Sequence, residues 1–193
     1  EGAEQRFAAL QALVKRLAWA MLFGLGFIAL AVLFVLPWQT ATAVWAACGF
    51  VLMWAAMRLK LKPAFWFALA LEILAGLAFL KANSAVFFLF GHLPPPEGAT
   101  PFAHAGFWTP IVIALAAFAV AWRLHAWSRS PAATDADALQ VDGDWISFPA
   151  LLWSACWWAF GWWMELRWTA ADEQALVHQF LAVMAASVLL LLP

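Results

Sequence analysis

The sequence predicts an all-α fold: a polytopic transmembrane helix bundle of about six membrane-spanning helices, preceded by an amphipathic N-terminal lead-in. Three observations predict it. Hydrophobic residues make up 67% of the 193-residue chain and charged residues 11%, against about 45–50% and about 25% in soluble domains. The apolar residues gather into repeated runs, most of them near the roughly 20 residues that a crossing needs. The charges fall mainly in the breaks between those runs.

Residues 1–16 form the lead-in. Phe7, Leu10, Val14 and Leu17 share one helical face, away from Glu4, Arg6, Gln11 and Lys15. That pattern suits a helix lying on the membrane surface or continuing into the first span. Residues 17–193 form the six-span bundle. Leu17–Leu36 is the first span and Pro37 ends it. Lys15-Arg16 before it and Ala41-Thr42-Ala43 after it imitate a signal peptide, but the run is too long for one and further spans follow. Thr40–Met57 is the second span, followed at once by Arg58, Lys60 and Lys62.

Pro63–Leu80 is the third span, and Glu72 near its centre is its only ionisable residue. Lys81–Gly106 is the longest break. Within it Ser84–Leu93 is apolar but too short to cross, which predicts an interfacial or re-entrant piece folded back onto the outer ends of the third and fourth helices. Pro94-Pro95-Pro96 then stiffens the chain. Phe107–Trp122 is the fourth span, with Pro110 expected in its first turn, where proline is tolerated.

Ser128–Asp144 reads as a solvated acidic linker. Its aspartates lack the glycine and closing glutamate of a calcium loop. Ile146–Met164 is the fifth span, and Trp153, Trp157, Trp158, Trp162 and Trp163 form two i,i+4 ridges on it. Such ridges suit packing better than stacking on a sugar or isoprenoid. Thr169-Ala-Ala-Asp172 predicts a capping box that opens the sixth span, Ala175–Leu192. Cys48 and Cys156 lie within apolar runs and read as small packing residues rather than a disulfide. The chain begins without methionine and stops inside Val188–Pro193, so it is expected to be a fragment of a longer chain. Membrane lipid and the remaining spans would then be its partners.

The basic residues orient the bundle. With a cytoplasmic N-terminus, eight of the ten Lys and Arg fall inside, and only Lys81 and Arg167 fall outside. His125, beside Trp122 and Trp127, then reads as an ordinary inner-interface residue. A net charge of −1 and the absence of a basic groove exclude a nucleic-acid partner. No phosphate-binding glycine loop, serine elbow or zinc-protease motif occurs, and no cofactor is expected.

Two sets of candidate functional residues follow. A carboxyl in mid-membrane costs about 2.5–3.5 kcal/mol on insertion scales, so Glu72 is either a proton- or ligand-carrying group or a neutral hydrogen-bonding contact between helices. Ala68, Ala75 and Gly76 beside it would let a neighbouring helix pack closely. The second set is His92, His104, Glu165 and His178, with Asp172 and Glu173, all expected near the outer surface. They could line a vestibule for a cation, a polar substrate or a lipid headgroup, or be solvated loop and capping residues. None has the i,i+4 spacing of a helical metal site, so no metal is expected.

Ala68–Leu80, Pro101-Phe-Ala-His-Ala-Gly-Phe107 and Leu151–Gly161 together resemble the large bacterial polytopic membrane proteins of domain of unknown function 2339. The resemblance implies a bacterial inner-membrane location and more spans than these six. It implies no reaction and no catalytic residues. Three function classes remain open: a transporter or channel-like unit around Glu72, slightly favoured; a membrane enzyme acting on lipid-linked sugars or acyl groups at the outer face; and a structural or assembly protein of the envelope.

Overall fold

A computed structural model describes residues 24–32, 34–90, 100–130 and 141–191, together with Gly98 and five isolated earlier positions. Among these residues there are helices and connections and no strand. We number the helices α1 (residues 24–32), α2 (Trp38–Leu59), α3 (Lys62–Phe90), α4 (Ala105–Ser128), α5 (Gly143–Thr169) and α6 (Glu173–Leu191). Four of them, α2, α3, α4 and α6, are long and apolar enough to cross a membrane. At 27 residues α5 has the length, but its many tryptophans lower its mean hydropathy because each indole carries a polar N–H. Five of the twenty positions of the first expected span and nearly all of the 1–16 lead-in lie outside the described residues.

The helices assemble as two antiparallel hairpins. Pro37 ends the first run and sits at the N-cap of α2. Trp45 Nε1 donates to the Ala29 carbonyl at 2.8 Å and ties α2 to α1. Lys60 closes α2 in the left-handed conformation (φ 54°), and α3 begins two residues later. A non-glycine side chain in that conformation costs about 1–2 kcal/mol. In return the turn returns the chain directly against α2. The second hairpin, α4 with α5, is the most extensive pairing, and α2 also crosses α4 to join the two. α6 rests on α5 along a narrow edge, through Trp158 Nε1 to Ser187 Oγ at 3.0 Å and the rings of Trp163 and Phe180.

The core divides into two apolar clusters stacked along the bundle. One lies towards the end that carries Arg58, Lys60, Lys62 and Arg129, and holds Met53, Ala56, Phe65, Ala68, Val120 and Leu124. The other lies towards the opposite end and holds Ala46, Ala75, Phe79, Ile113, Ala114 and Trp157. Ser154 Oγ donates to the Ala114 carbonyl at 2.8 Å, a buried polar contact between α5 and α4. All five tryptophans of the α5 ridges are engaged with other rings or with Ser187.

Several boundaries differ from the sequence expectation. Residues 84–90 do not fold back; they continue α3 without a break. Nothing in Lys81–Phe90 forbids a helix, and Asn83 Nδ2 bonds to the Phe79 carbonyl one turn earlier at 2.8 Å. At about 1.5 Å per residue, the 29 residues of α3 reach roughly 43 Å, longer than a hydrocarbon layer of about 30 Å. Pro110 lies in the second turn of α4, not the first, because the helix already starts at Ala105. The capping box also shifts. Thr169 belongs to the end of α5 and bonds back to Glu165 O, while Asp172 itself caps α6 by accepting from Ala175 N at 2.7 Å. Cys48 and Cys156 are exposed on the flanks of α2 and α5 instead of packing within the bundle.

Candidate functional site

Glu72 stands eleventh in the 22-residue apolar segment Lys62–Asn83, and Gly49 of α2 stands tenth in the 20-residue segment Thr40–Leu59. The two meet at mid-length. A Cβ built on Gly49 would lie 3.1 Å from Glu72 Oε2, 3.1 Å from Ala68 O and 3.3 Å from Glu72 N. Glycine is therefore what lets α2 come this close to α3. Ala68 and Ala75, one turn to either side of Glu72, are both buried, as the small-residue stripe predicts. The carboxyl occupies the gap between the two apolar clusters. Glu72 is only 2% exposed, and neither carboxylate oxygen has a hydrogen-bond partner.

Glu72 also lines a cavity of about 640 Å³. Its walls come from α3 (Trp66, Leu69, Ile73), α4 (Ala117, Val120) and the start of α5, from Val141 to Trp153. The cavity exists because α3 and α5 do not approach each other through their backbones. Two indoles bridge the space instead. A Cβ on Gly76 would fall 2.5 Å from Trp153 Cζ2 and 2.8 Å from Trp157 Cζ2, so those rings close on the bare glycine. The cleft is thus shut above Glu72 and extends from it towards Asp142 and Trp145 at the basic end. Trp153 Nε1, on the same wall, is buried without a partner.

The basic end is held by a small polar knot. Asp144 accepts from Ser128 Oγ at 2.7 Å and from His125 Nδ1 at 3.0 Å. The Ser128 bond, then the His125 bond, holds the Asp144 carboxyl below its ordinary range. Gly143 permits this closure, since a Cβ there would lie 2.8 Å from Leu124 O. The ends of the 128–144 linker are therefore tied together rather than merely solvated, and His125 has a defined partner.

At the opposite end the structure joins two of the other candidates. His104 Nε2 lies 2.9 Å from Glu165 Oε2, an ion-pair distance without the aligned geometry of a hydrogen bond. Glu165 is 2% exposed, and its other oxygen accepts from Phe102 N at 2.6 Å. Phe102 is held at φ 62°, at the third position of a turn closed by Ala103 N to Thr100 O. Pro101 precedes it, which is the pattern of a type II turn with phenylalanine where glycine is usual. The Phe102 ring compensates by packing on Phe107 and Trp162, and Trp168 meets the His104 ring edge-on. His178 is exposed on α6, and His92 lies outside the described residues.

The structure therefore separates the candidates into a mid-bundle site at Glu72 and a terminal pair, His104–Glu165. Sequence reasoning missed Gly49 and Asp142, and it read Trp153 as packing. Gly49 had a signal, a lone glycine at the centre of a span. Trp153 stood out only as part of an aromatic ridge, and Asp142 had no signal, because only the folded cleft brings them to Glu72. Among the described residues, no three His, Cys, Asp or Glu side chains gather to hold a metal. Fold and site together describe, among these residues, an all-helical arrangement with four helices long and apolar enough to cross a membrane and a buried, unpartnered carboxyl. The chain matches no family model, no curated protein and no solved structure.

Proposed function

We propose that this chain is a six-span unit of a multi-pass membrane transporter or channel-like protein in which Glu72 carries a proton or binds a cation. One observation carries the reading: a partnerless carboxyl in mid-bundle belongs to a residue that lines a cleft extending from it towards the basic end. In the resting form of this scheme Glu72 holds the exchangeable proton. A cation entering the cleft replaces it. Gly49 seals the α2 flank, and the contact of Trp153 and Trp157 with Gly76 is the barrier towards the other end. Exposure to that end requires those indoles to part from Gly76.

We place the basic end and the N-terminus in the cytoplasm, on the eight-to-two bias of Lys and Arg. The membrane is a bacterial inner membrane on the resemblance to domain of unknown function 2339. Reconstituted protein with an entrapped pH dye tests the transport reading. Wild type dissipates an imposed proton gradient, and Glu72→Gln does not. Equal rates for the two would refute it.

The His104–Glu165 contact favours a second reading, a membrane enzyme acting on lipid-linked sugars or acyl groups. A buried carboxylate against an imidazole can orient a general base. The same carboxylate is also engaged in clamping the Phe102 turn, which a purely structural role explains, so we rank this reading behind transport. His104→Ala separates the two, since it leaves proton flux intact and abolishes turnover of such a substrate.

A further inference from the structure

We infer that the cleft between α3 and α5 is a binding site for a hydrophobic organic cation, whose charge sits at Glu72 and whose apolar body lies against Trp66, Trp145 and Trp153. The inference rests on the transport reading and names its substrate class. The walls enclose about 640 Å³, within the roughly 300–1,000 Å³ typical of small-molecule sites. Two of the lining residues are ionisable, Glu72 and Asp142, and both are acids. Asp142 is already engaged in capping α5 through Trp145 N at 3.1 Å. The carboxylate oxygens of Glu72 are both uncommitted.

The chemistry of the walls selects the charge and the body. Among the described lining residues an anion would face two acids and no base. A small inorganic cation such as calcium seeks about six to eight oxygen ligands, and these walls are mostly hydrocarbon and indole. An organic cation satisfies both demands, pairing with the carboxylate and offering apolar surface to the rings. Indole faces add attraction for a cation within about 6 Å. Trp153 Nε1, buried and unpartnered on the same wall, supplies one donor for a ligand acceptor. Access fits as well. Trp66, Trp145 and Pro149 are exposed on the flank of the bundle, so the cleft opens sideways, where amphiphilic cations partition from the membrane.

Proton and ligand then compete for Glu72. Of the elements packed against it, α2 presents Gly49 and α4 lines the cleft with Ala117 and Val120, none of them titratable. From α5 the titratable neighbour on the wall is Asp142, while Asp144, His125 and Arg123 belong to the basic end. Binding therefore tightens as pH rises and releases a proton.

The test uses the full chain in lipid nanodiscs and tetraphenylphosphonium as the probe, followed by calorimetry in two buffers of different ionisation heat. Wild type binds the probe, with affinity increasing with pH and a proton released. Glu72→Gln loses at least tenfold in affinity and the pH dependence. Ala150→Trp, which adds bulk to the cleft wall and leaves Glu72 in place, also loses binding and covers the case in which Glu72→Gln fails to fold. Equal binding by Glu72→Gln, or by Ala150→Trp, overturns the inference. No binding by wild type, with Glu72-dependent proton flux retained in liposomes, overturns it and leaves the transport reading standing. Absence of both binding and flux removes the two together.

Discussion

Substituting Gly49 by alanine tests the close contact of α2 with α3 at Glu72. The new methyl would meet Ala68 O at 3.1 Å, Glu72 Oε2 at 3.1 Å and Glu72 N at 3.3 Å. Two of those atoms are α3 backbone, so they yield only if the whole helix shifts by a few tenths of an ångström. Overpacking of this kind costs about 1–3 kcal/mol. Against it stands the helix preference of alanine over glycine, about 0.8–1.0 kcal/mol. The net expectation is a loss of roughly 0–2 kcal/mol. Gly24→Ala supplies the reference, because a Cβ on Gly24 in α1 meets nothing within 4 Å and should bring the preference alone. The two variants should therefore differ by about 1–3 kcal/mol, the overpacking component itself. Unfolding in mixed micelles, followed by far-ultraviolet circular dichroism, measures both. If Gly49→Ala stabilises the protein as much as Gly24→Ala does, α2 and α3 are not in backbone contact at Glu72 and the account of its burial fails.

Other substitutions probe the remaining features. Lys60→Gly should stabilise the α2–α3 turn by about 1 kcal/mol, since glycine adopts φ 54° without the penalty that lysine bears; the same unfolding assay reads it. Glu165→Ala should cost about 1–3 kcal/mol by leaving the Phe102 N–H without its acceptor, whereas Glu165→Gln, which keeps an acceptor oxygen, should recover most of it. Asp144 is held below the ordinary carboxylate range in the folded state, so its contribution is present above that range and is lost as pH falls through the folded value. Asp144→Asn should remove that acid-side component from a pH titration of stability, and an unchanged acid limb would show that Asp144 contributes nothing. In a background lacking Cys48 and Cys156, single cysteines at Ala103 and Arg129 should react oppositely with a membrane-impermeant thiol reagent on intact cells; equal labelling would refute the six-span topology.

The sequence was most informative where local composition decides structure. Apolar runs bounded by Pro37, by the Arg58–Lys62 cluster and by the acidic linker marked α2, α3 and α4, and the lone carboxyl of Glu72 stood out against its surroundings. The small-residue stripe at Ala68 and Ala75 was legible for the same reason. What lay hidden depended on rotation and partner choice. A helix apolar all round has no preferred inward face, so nothing in α3 alone indicated that Glu72 would meet Gly49 or share a wall with Trp153. His104 and Glu165 are far apart in the chain and meet only because α4 and α5 pair antiparallel. Helix ends were misread where two residues compete for one role. Thr169 and Asp172 are both good caps, and α5 keeps the first while α6 takes the second.

The two glycines facing Glu72 and its neighbouring turn do different things, and the difference gives the cleft its direction. Gly49 removes a side chain so that backbone meets backbone, which leaves no room beside the carboxyl on the α2 flank. Gly76 removes a side chain so that indoles can fill the gap between helices that stay apart. The first contact separates only if a helix moves. The second separates when two side chains rotate, and those side chains stand on α5, whose N-terminal turn is fixed to α4 by Asp144, Ser128 and His125. On the proposed transport reading, the cycle would keep α2 against α3 throughout. Access to Glu72 would then change where Trp153 and Trp157 meet Gly76, and a ligand seated in the cleft would touch Trp153. On that reading occupancy of the carboxyl and closure above it would be coupled through one residue, which is the least that a carrier needs to link binding to a change of exposure.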